Sequence, residues 1–398
     1  MVLPAELCYA KYAKPVLLFL ARSFGRVMVL TFREKLFAHL NESTVLLLCD
    51  ERGGMTQSFE CLDFQNGEAL RGHDFTRVCG MAASRHALPI TGSRAGNLRF
   101  NQCFLSEEQR DLFDHLRSHD AVSRLGVECD VGIGYVTGAN AFFHVRESEL
   151  QLRCIPSSCL LRAVFRNAAL NGLRFLKRDW GANCESGMAG WLLYLEPEHG
   201  ELPESVVAYL REGERNGVSQ TYKCRVRNPW YCVPHVRIPD AFLTYMSGNG
   251  PKLVANTYRA VAPNTLHCVR IRQQSRFTAL ALALSWTNSL TALSCEVEGH
   301  SLGGGMLKLE PREAGQVIVP TPFAEWSEAS IAELAGEVDR LIREGWRERA
   351  SDLVDRQLLE GGLGLSAHEC QVLRDAGERL KSRRVAGTHK SGKARRRK

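Results

Sequence analysis

The chain has 398 residues, 44% hydrophobic and 24% charged, a globular composition with room for two or three domains that excludes wholesale disorder, collagen and coiled coil. Its net charge of +7 is localised. Residues 381–398 (KSRRVAGTHKSGKARRRK) hold nine of the 51 Lys and Arg and none of the 44 Asp and Glu, so the rest of the chain carries 42 basic against 44 acidic groups. The apolar runs Pro15–Ala21 and Ala279–Trp286 are far shorter than the ~20 residues that cross a bilayer. PVLLFLA is preceded by Glu6 and followed at once by Arg22, with no small-residue cleavage site, so a cytoplasmic protein is expected. The 14 Cys contain no C-x-x-C pair and read as reduced thiols, not as a zinc knuckle or disulfide framework. The twelve His are dispersed and suggest no metal site.

Residues 1–75 read as part of an α/β sheet. Met1–Leu3 is an apolar segment stopped by Pro4, and a helix is predicted around Ala5–Phe24, with Pro15 marking a kink or a second start. Arg26–Phe32 (RVMVLTF) and Thr44–Cys49 (TVLLLC) are nearly continuous apolar runs, the pattern of strands buried on both faces of a parallel sheet. Three or so strands and one helix cannot cover both faces of a doubly wound sheet, so an open edge and apolar surface are expected here. Residues 76–120 are polar and end in a charged helix-like segment (SEEQRDLFDHLRSH); they read as a connector. Residues 121–325 have short strands interrupted by Pro and Gly, with a helix predicted at Glu204–Arg215. Residues 326–380 are helical: Ser330/Glu333 and Ser366/Glu369 match the S-x-x-E capping box, and Ile331, Leu334, Val338, Leu341 and Ile342 form an apolar stripe. Residues 381–398 are expected to be a disordered basic tail. The fold class is therefore α+β, a partial Rossmann-like sheet followed by a mixed α/β domain and C-terminal helices.

Charge alternates in blocks within the middle domain. Residues 150–178 carry six basic residues and no acid, residues 182–217 have a net charge of −5, and residues 218–276 carry nine basic residues and only Asp240. In Tyr222–Arg237 (YKCRVRNPWYCVPHVR), Lys223, Arg225 and Arg227 alternate with Cys224 and Val226; in a strand they would share one face. Trp230 and Tyr231 follow directly. Cations for phosphates, with aromatics and Asn at the end of the run, suit nucleic-acid contact. The competing reading is a solvated edge strand guarded by charges, and the near absence of compensating acid favours the nucleic-acid one.

Two segments imitate a compact methyltransferase. Asp130-Val131-Gly132-Ile133-Gly134 has the D-x-G-x-G look of a cofactor-binding turn, and Asn228-Pro229-Trp230-Tyr231 is close to the N-P-P-Y motif that holds a flipped adenine. A nucleotide-binding turn must open a helix, yet Tyr135–Phe143 reads as turn and strand, and Trp230 replaces the second Pro. The cofactor reading is set aside.

Several segments taken together resemble the C-terminal part of TaqI-like adenine-specific DNA methyltransferases of restriction-modification systems. They are MVLPAELCYAKYAKPVLLFLARSFG, VMVLTFREKLF with STVLLL, VGIGYVTGANAFF, YKCRVRNPWYCVP, APNTLH and NSLTALSCEVEGHSLGGGMLKLEP. The resemblance implies that residues 1–75 are the last third of the catalytic sheet and that both imitations belong to the DNA target-recognition domain. It implies double-stranded DNA as partner, held by Lys223, Arg225, Arg227, Arg237, Arg259, Arg270 and Arg272, with Asn228, Trp230 and Tyr231 near the bases and Thr137, Gly138 and Asn140 in a recognition loop. The family's F-x-G-x-G cofactor loop and N-P-P-Y loop have no match in this sequence, so no catalytic or cofactor residue is assigned. S-adenosylmethionine is the cofactor of the complete enzyme, expected to be held by a separate or missing N-terminal half and not by this chain alone. Two hypotheses stand: the recognition portion of a split or truncated methyltransferase, inactive by itself, and a stand-alone, non-enzymatic DNA-binding specificity protein.

Overall fold

The protein is described from a computed structural model, which covers residues 1–4, 13–34, 36–37, 44–80, 85–89, 99–196, 200–302 and 305–386. It is an α+β chain. A five-stranded sheet comprises β1 (Val2–Pro4), β2 (Phe24–Phe32), β3 (Thr44–Arg52), β4 (Ser58–Phe64) and β5 (Arg85–Pro89), in the order β1-β3-β2-β4-β5. Helix α1 (Ala13–Ser23) precedes β2 and contains Pro15. Residues 5–12 of the predicted helix lie outside the described residues.

The two apolar runs are strands, but β2 pairs antiparallel with β3 and parallel only with β4. A continuous apolar run reports burial on both faces and carries no information about direction, which is why the parallel expectation failed for β3. Both faces of β2 are in fact covered. Val27 and Val29 pack with Leu20, Ala21, Phe59 and Cys103, while Met28 and Leu30 pack with Leu62, Phe64 and Val78. Val2, Val16, Phe19 and Met55 nevertheless face solvent, and β1 pairs only with β3 among the described residues. The sheet also runs past residue 75 into β5, because a five-residue strand is too short for its period to be read.

Residues 76–120 are more than a connector. Helix α2 (Glu107–Leu116) starts at a capping box in which Ser106 and Gln109 bond each other's backbone amides, and its Phe113 and Leu116 are fully buried. A four-stranded antiparallel sheet then contains β6 (Cys129–Ile133), β10 (Ala241–Thr244), β11 (Leu253–Ala255) and β12 (Leu266–Ile271), in the order β11-β10-β12-β6. A smaller sheet, β7 (His144–Val145), β8 (Leu160–Arg162) and β9 (Trp191–Leu193), packs with α3 (Glu204–Arg215) in a second core of Phe143, Leu192, Val206 and Leu210. Helix α3 has the bounds the sequence predicts. Within that core His144 stacks on Phe165 at 3.9 Å and its Nε2 lies 3.3 Å from the Tyr135 hydroxyl. Burial pushes its pKa down to about 4.

Helices α4 (Ala279–Trp286), α5 (Ser289–Glu298), α6 (Glu328–Arg343) and α7 (Ala367–Ala386) complete the body. The stripe on α6 is buried as its spacing predicts, with Ile331, Leu334 and Val338 in the core and Leu341 and Ile342 against it. Its cap, however, is Ser327, whose Oγ accepts from the Ser330 amide at 3.1 Å, so the helix starts one turn before the predicted box. The second box is present, with Ser366 N donating to Glu369 Oε2 at 2.8 Å and Glu369 N donating to Ser366 Oγ at 3.2 Å. The predicted tail boundary at 381 falls inside α7. Arg383 pairs with Asp63 of β4, and Arg384 pairs with buried Glu296 at 2.6 Å, so these two tail cations are engaged in tertiary ion pairs. Residues 387–398 lie outside the described residues. No helix among the described residues is long and apolar enough to cross a membrane.

One polar network joins α6 to the middle of the chain. Arg343 donates to Asp179 at 2.6 and 3.0 Å, to Asp339 at 2.9 Å and to the Arg174 carbonyl at 2.8 Å. Asp339, buried, accepts in turn from the amide of Leu173 at 2.9 Å. Removing Asp339 leaves Arg343 with the carboxylate of Asp179 alone and the Leu173 amide without its buried acceptor, a loss of about 1–3 kcal/mol. Asp339→Ala should lower stability by that amount in a denaturant melt, and a change below about 1 kcal/mol would contradict this account of the junction.

The depressed pKa of His144 adds a pH dependence. Its folded value lies below the ~6.5 of an unfolded histidine, so the unfolded state takes up the proton first, and stability falls as pH drops from about 6.5 toward 4. His144→Phe should remove that share and flatten the melting temperature over this window, whereas an unchanged pH profile would contradict it.

Candidate nucleic-acid interface

Of the two glycines in the D-x-G-x-G segment, only Gly134 is required by packing, since a Cβ on Gly132 would meet nothing within 4 Å. Gly132 lies in β6, opposite Cys268 of β12, and the next helical turn begins only at Asn140. At Gly134 a Cβ would sit 2.1 Å from the Ala262 carbonyl oxygen and 2.3 Å from that of Pro263, so only glycine lets the chain pass here. Tyr135 then donates its amide to Ala262 O at 3.1 Å, and its carbonyl accepts from Asn264 N at 3.0 Å.

From this anchor the chain turns through Val136, Thr137, Gly138 and Asn140. Gly138 has φ +85°, and a Cβ there would meet Lys223 Cβ at 2.4 Å, so the loop lies flush against the Tyr222–Arg225 segment. Buried Thr137 organises the loop. Its Oγ1 accepts from the Ala139 amide at 3.2 Å and donates to Asn140 Oδ1 at 2.5 Å, and its carbonyl accepts from Arg227 Nη1 at 2.7 Å and from the Cys224 thiol at 3.7 Å. Arg227 Nη2 also donates to Val136 O at 2.6 Å.

The strand that the alternation of Lys223, Arg225 and Arg227 would fit is absent. Tyr222–Arg225 is a single helical turn, and turns and irregular backbone follow. The three cations therefore do not share a face. Lys223 and Arg225 are exposed, their charged ends 5.6 and 5.7 Å from the centre of the Tyr222 ring, while Arg227 points inward to the loop and burial lowers its pKa. The alternation of charge and apolar residues was compatible with either shape, and the inward bonds of Cys224 and Arg227 decide it.

Asn228 is exposed at the end of this segment. Trp230 donates from its indole to Glu214 Oε1 at 3.0 Å, with its ring 5.6 Å from that of Phe142 and 5.8 Å from that of half-buried Tyr231. Both aromatics thus pack against the core under α3. Arg237 and Arg259 are exposed, Arg259 with a left-handed φ of +53°. Arg270 and Arg272 converge on Asp130, at 3.9 and 2.9 Å, so part of their charge is neutralised.

Three further exposed residues lie outside the predicted set. Tyr222 is 66% exposed, an aromatic beside two cations that was visible in the sequence. Arg162 and Arg166 are exposed on a segment that runs beside residues 259–265: Ala163 bridges Val261 in parallel, Val261 N donates to Arg162 O at 2.8 Å, and Arg162 lies 4.7 Å over the Tyr258 ring. Nothing in the sequence pairs these two segments. Among the described residues no group of three or more His, Cys, Asp or Glu could hold a metal ion. A cavity of about 350 Å³ is walled instead by Lys252, Trp286, Cys295 and Arg347, and its Asp352, Glu378 and Glu296 are paired with Arg374, Lys381 and Arg384.

Comparison with known proteins places the chain. No curated protein matches it. Among solved structures it is similar to the type IIG restriction endonuclease BpuSI, with 14% identity and a TM-score of 0.49 over 97% of this chain and 47% of that one. A chain from a type I restriction-modification assembly is similar at 12% identity and a TM-score of 0.28, over 68% of this chain and 50% of that one. The chain thus spans about half the length of these solved relatives. Residues 97–359 match the family model of the C-terminal domain of type II methyltransferase M.Eco57I, and the chain belongs to that family.

Proposed function

We propose that this methyltransferase C-terminal region is the DNA target-recognition portion of a site-specific adenine methyltransferase, with residues 121–325 as the recognition domain. Methyl transfer from S-adenosylmethionine to the adenine amino group requires a second part carrying the cofactor loop and the N-P-P-Y loop. The observation that carries this reading is the juxtaposition of exposed Tyr222, Lys223 and Arg225 with the Thr137–Asn140 loop. Flexible cations and hydrogen-bond donors on rigid supports suit phosphate contacts that set register on a duplex. In this reading Arg237, Arg259, Arg270 and Arg272 add phosphate contacts, Asn228 comes near the bases, and exposed Arg162 and Arg166 join the cations.

Arg227 has a different role in this reading. It holds the loop, and Trp230 and Tyr231 support the turn from below. Fluorescence anisotropy on duplex DNA across a salt series separates the two classes. The affinity of the wild-type chain should fall steeply with salt, and Lys223→Ala with Arg225→Ala should reduce the slope of log affinity against log salt by about 2. An unchanged slope in the double variant would remove these residues from the interface. The chain alone should transfer no methyl group, and detectable transfer would contradict the need for a second part.

A further inference from the structure

Phosphate contact gives Lys223 and Arg225 a use, but the same turn exposes apolar surface that a phosphate leaves unused. Tyr222 is 66% exposed and Val226 65%. They stand four residues apart across one helical turn, the spacing that puts two side chains on one face. A single exposed apolar residue is ordinary on a protein surface, whereas an aromatic and an aliphatic side chain together, beside two cations, form a patch that gains by being covered. The backbone beneath this patch is supported. Cys224 is fully buried, its thiol 3.7 Å from the Thr137 carbonyl, and Arg225 N donates to Thr221 O at 2.9 Å. Arg227 donates to the carbonyls of Val136 and Thr137, so the turn rests on the neighbouring loop.

Charge decides what covers the patch. Lys223 Nζ and Arg225 Cζ lie 5.6 and 5.7 Å from the centre of the Tyr222 ring, close to the ~6 Å limit of cation–π attraction. Such contacts are weak at an exposed site, and a phosphate is the stronger partner for either cation. No acidic residue occurs in residues 218–239, and Glu214, which borders the segment, accepts from the Trp230 indole at 3.0 Å. A nucleotide supplies both things the patch lacks, a flat π-face for the ring and phosphates for the two cations. In paired DNA that face is covered by the neighbouring bases, so the base that meets the ring is one that has left the stack. We infer that Tyr222 is a stacking platform for an unstacked base of the bound DNA. Lys223 and Arg225 turn from the ring to the adjoining phosphates, and Val226 covers the same nucleotide. This inference rests on the DNA-recognition reading above.

The test is binding of the full chain to two duplexes of equal length, one fully paired and one of the same sequence with a single central mismatch, at several salt concentrations. A mismatched base leaves the stack at lower cost, so the wild-type chain should bind the mismatched duplex more tightly. Tyr222→Ala should weaken binding to that duplex by about five- to a hundredfold and to the paired duplex by less, which removes the preference. Its salt slope should match the wild type, because no charge is lost. Tyr222→Phe and Tyr222→Trp should keep the preference, since either ring can stack. Four results would overturn the platform while leaving the DNA reading in place: no preference in the wild-type chain, wild-type binding by Tyr222→Ala, an equal loss on both duplexes, or a loss in Tyr222→Phe as large as in Tyr222→Ala, which would assign the residue to a hydroxyl contact. Failure of the wild-type chain to bind either duplex would overturn the DNA reading and the platform with it.

Discussion

The proposed DNA surface depends on one contact, the guanidinium of Arg227 donating to the carbonyls of Val136 and Thr137. Two adjacent carbonyls on an irregular loop have no strand or helix partner of their own, and leaving them unpaired away from water costs free energy. The planar fork of an arginine meets both at once. The result is that the loop from β6 and the turn Tyr222–Arg225, far apart in the chain, are held side by side. Gly138 then sits against Lys223, and the Thr137 hydroxyl bonds to Asn140.

This contact also explains why a net charge of +8 over residues 218–276 overstates the charge available to a ligand. Arg227 is bound to backbone, and Arg270 and Arg272 share Asp130. In the preceding basic block Arg153 pairs with Glu212 across the acidic stretch, and Arg174 and Arg178 face Asp339. Lys223, Arg225, Arg237, Arg259, Arg162 and Arg166 form no ion pair with the described residues, which leaves their charge available to a ligand. The charge blocks thus combine internal ion pairs, which assemble the domain, with a smaller set of free cations.

Much of the fold was legible in the sequence where one segment's own period set its burial. The stripe on α6, the bounds of α3 and the Ser366/Glu369 box are of this kind. Strand direction in the first sheet was not legible, because a continuous apolar run is the same for parallel and antiparallel neighbours. Tyr222–Arg225 shows the limit most clearly. Its alternation of cation and apolar residue fits a strand, yet the inward pull of Cys224 and Arg227 on Thr137 makes it a helical turn. The residue types of the candidate site were readable, whereas the division of labour among them depends on contacts across about 90 residues of chain and could be seen only once the two segments were placed side by side.

The most direct measurement is hydrogen–deuterium exchange of the full chain with and without duplex DNA, since backbone protection reports contact without altering any side chain. The account predicts slowed exchange at residues 136–141 and 222–228 together, with residues 24–32 and 44–64 of the first sheet unchanged. Protection confined to the first sheet, or none at the paired loop and turn under conditions where DNA is bound, would contradict the proposed interface.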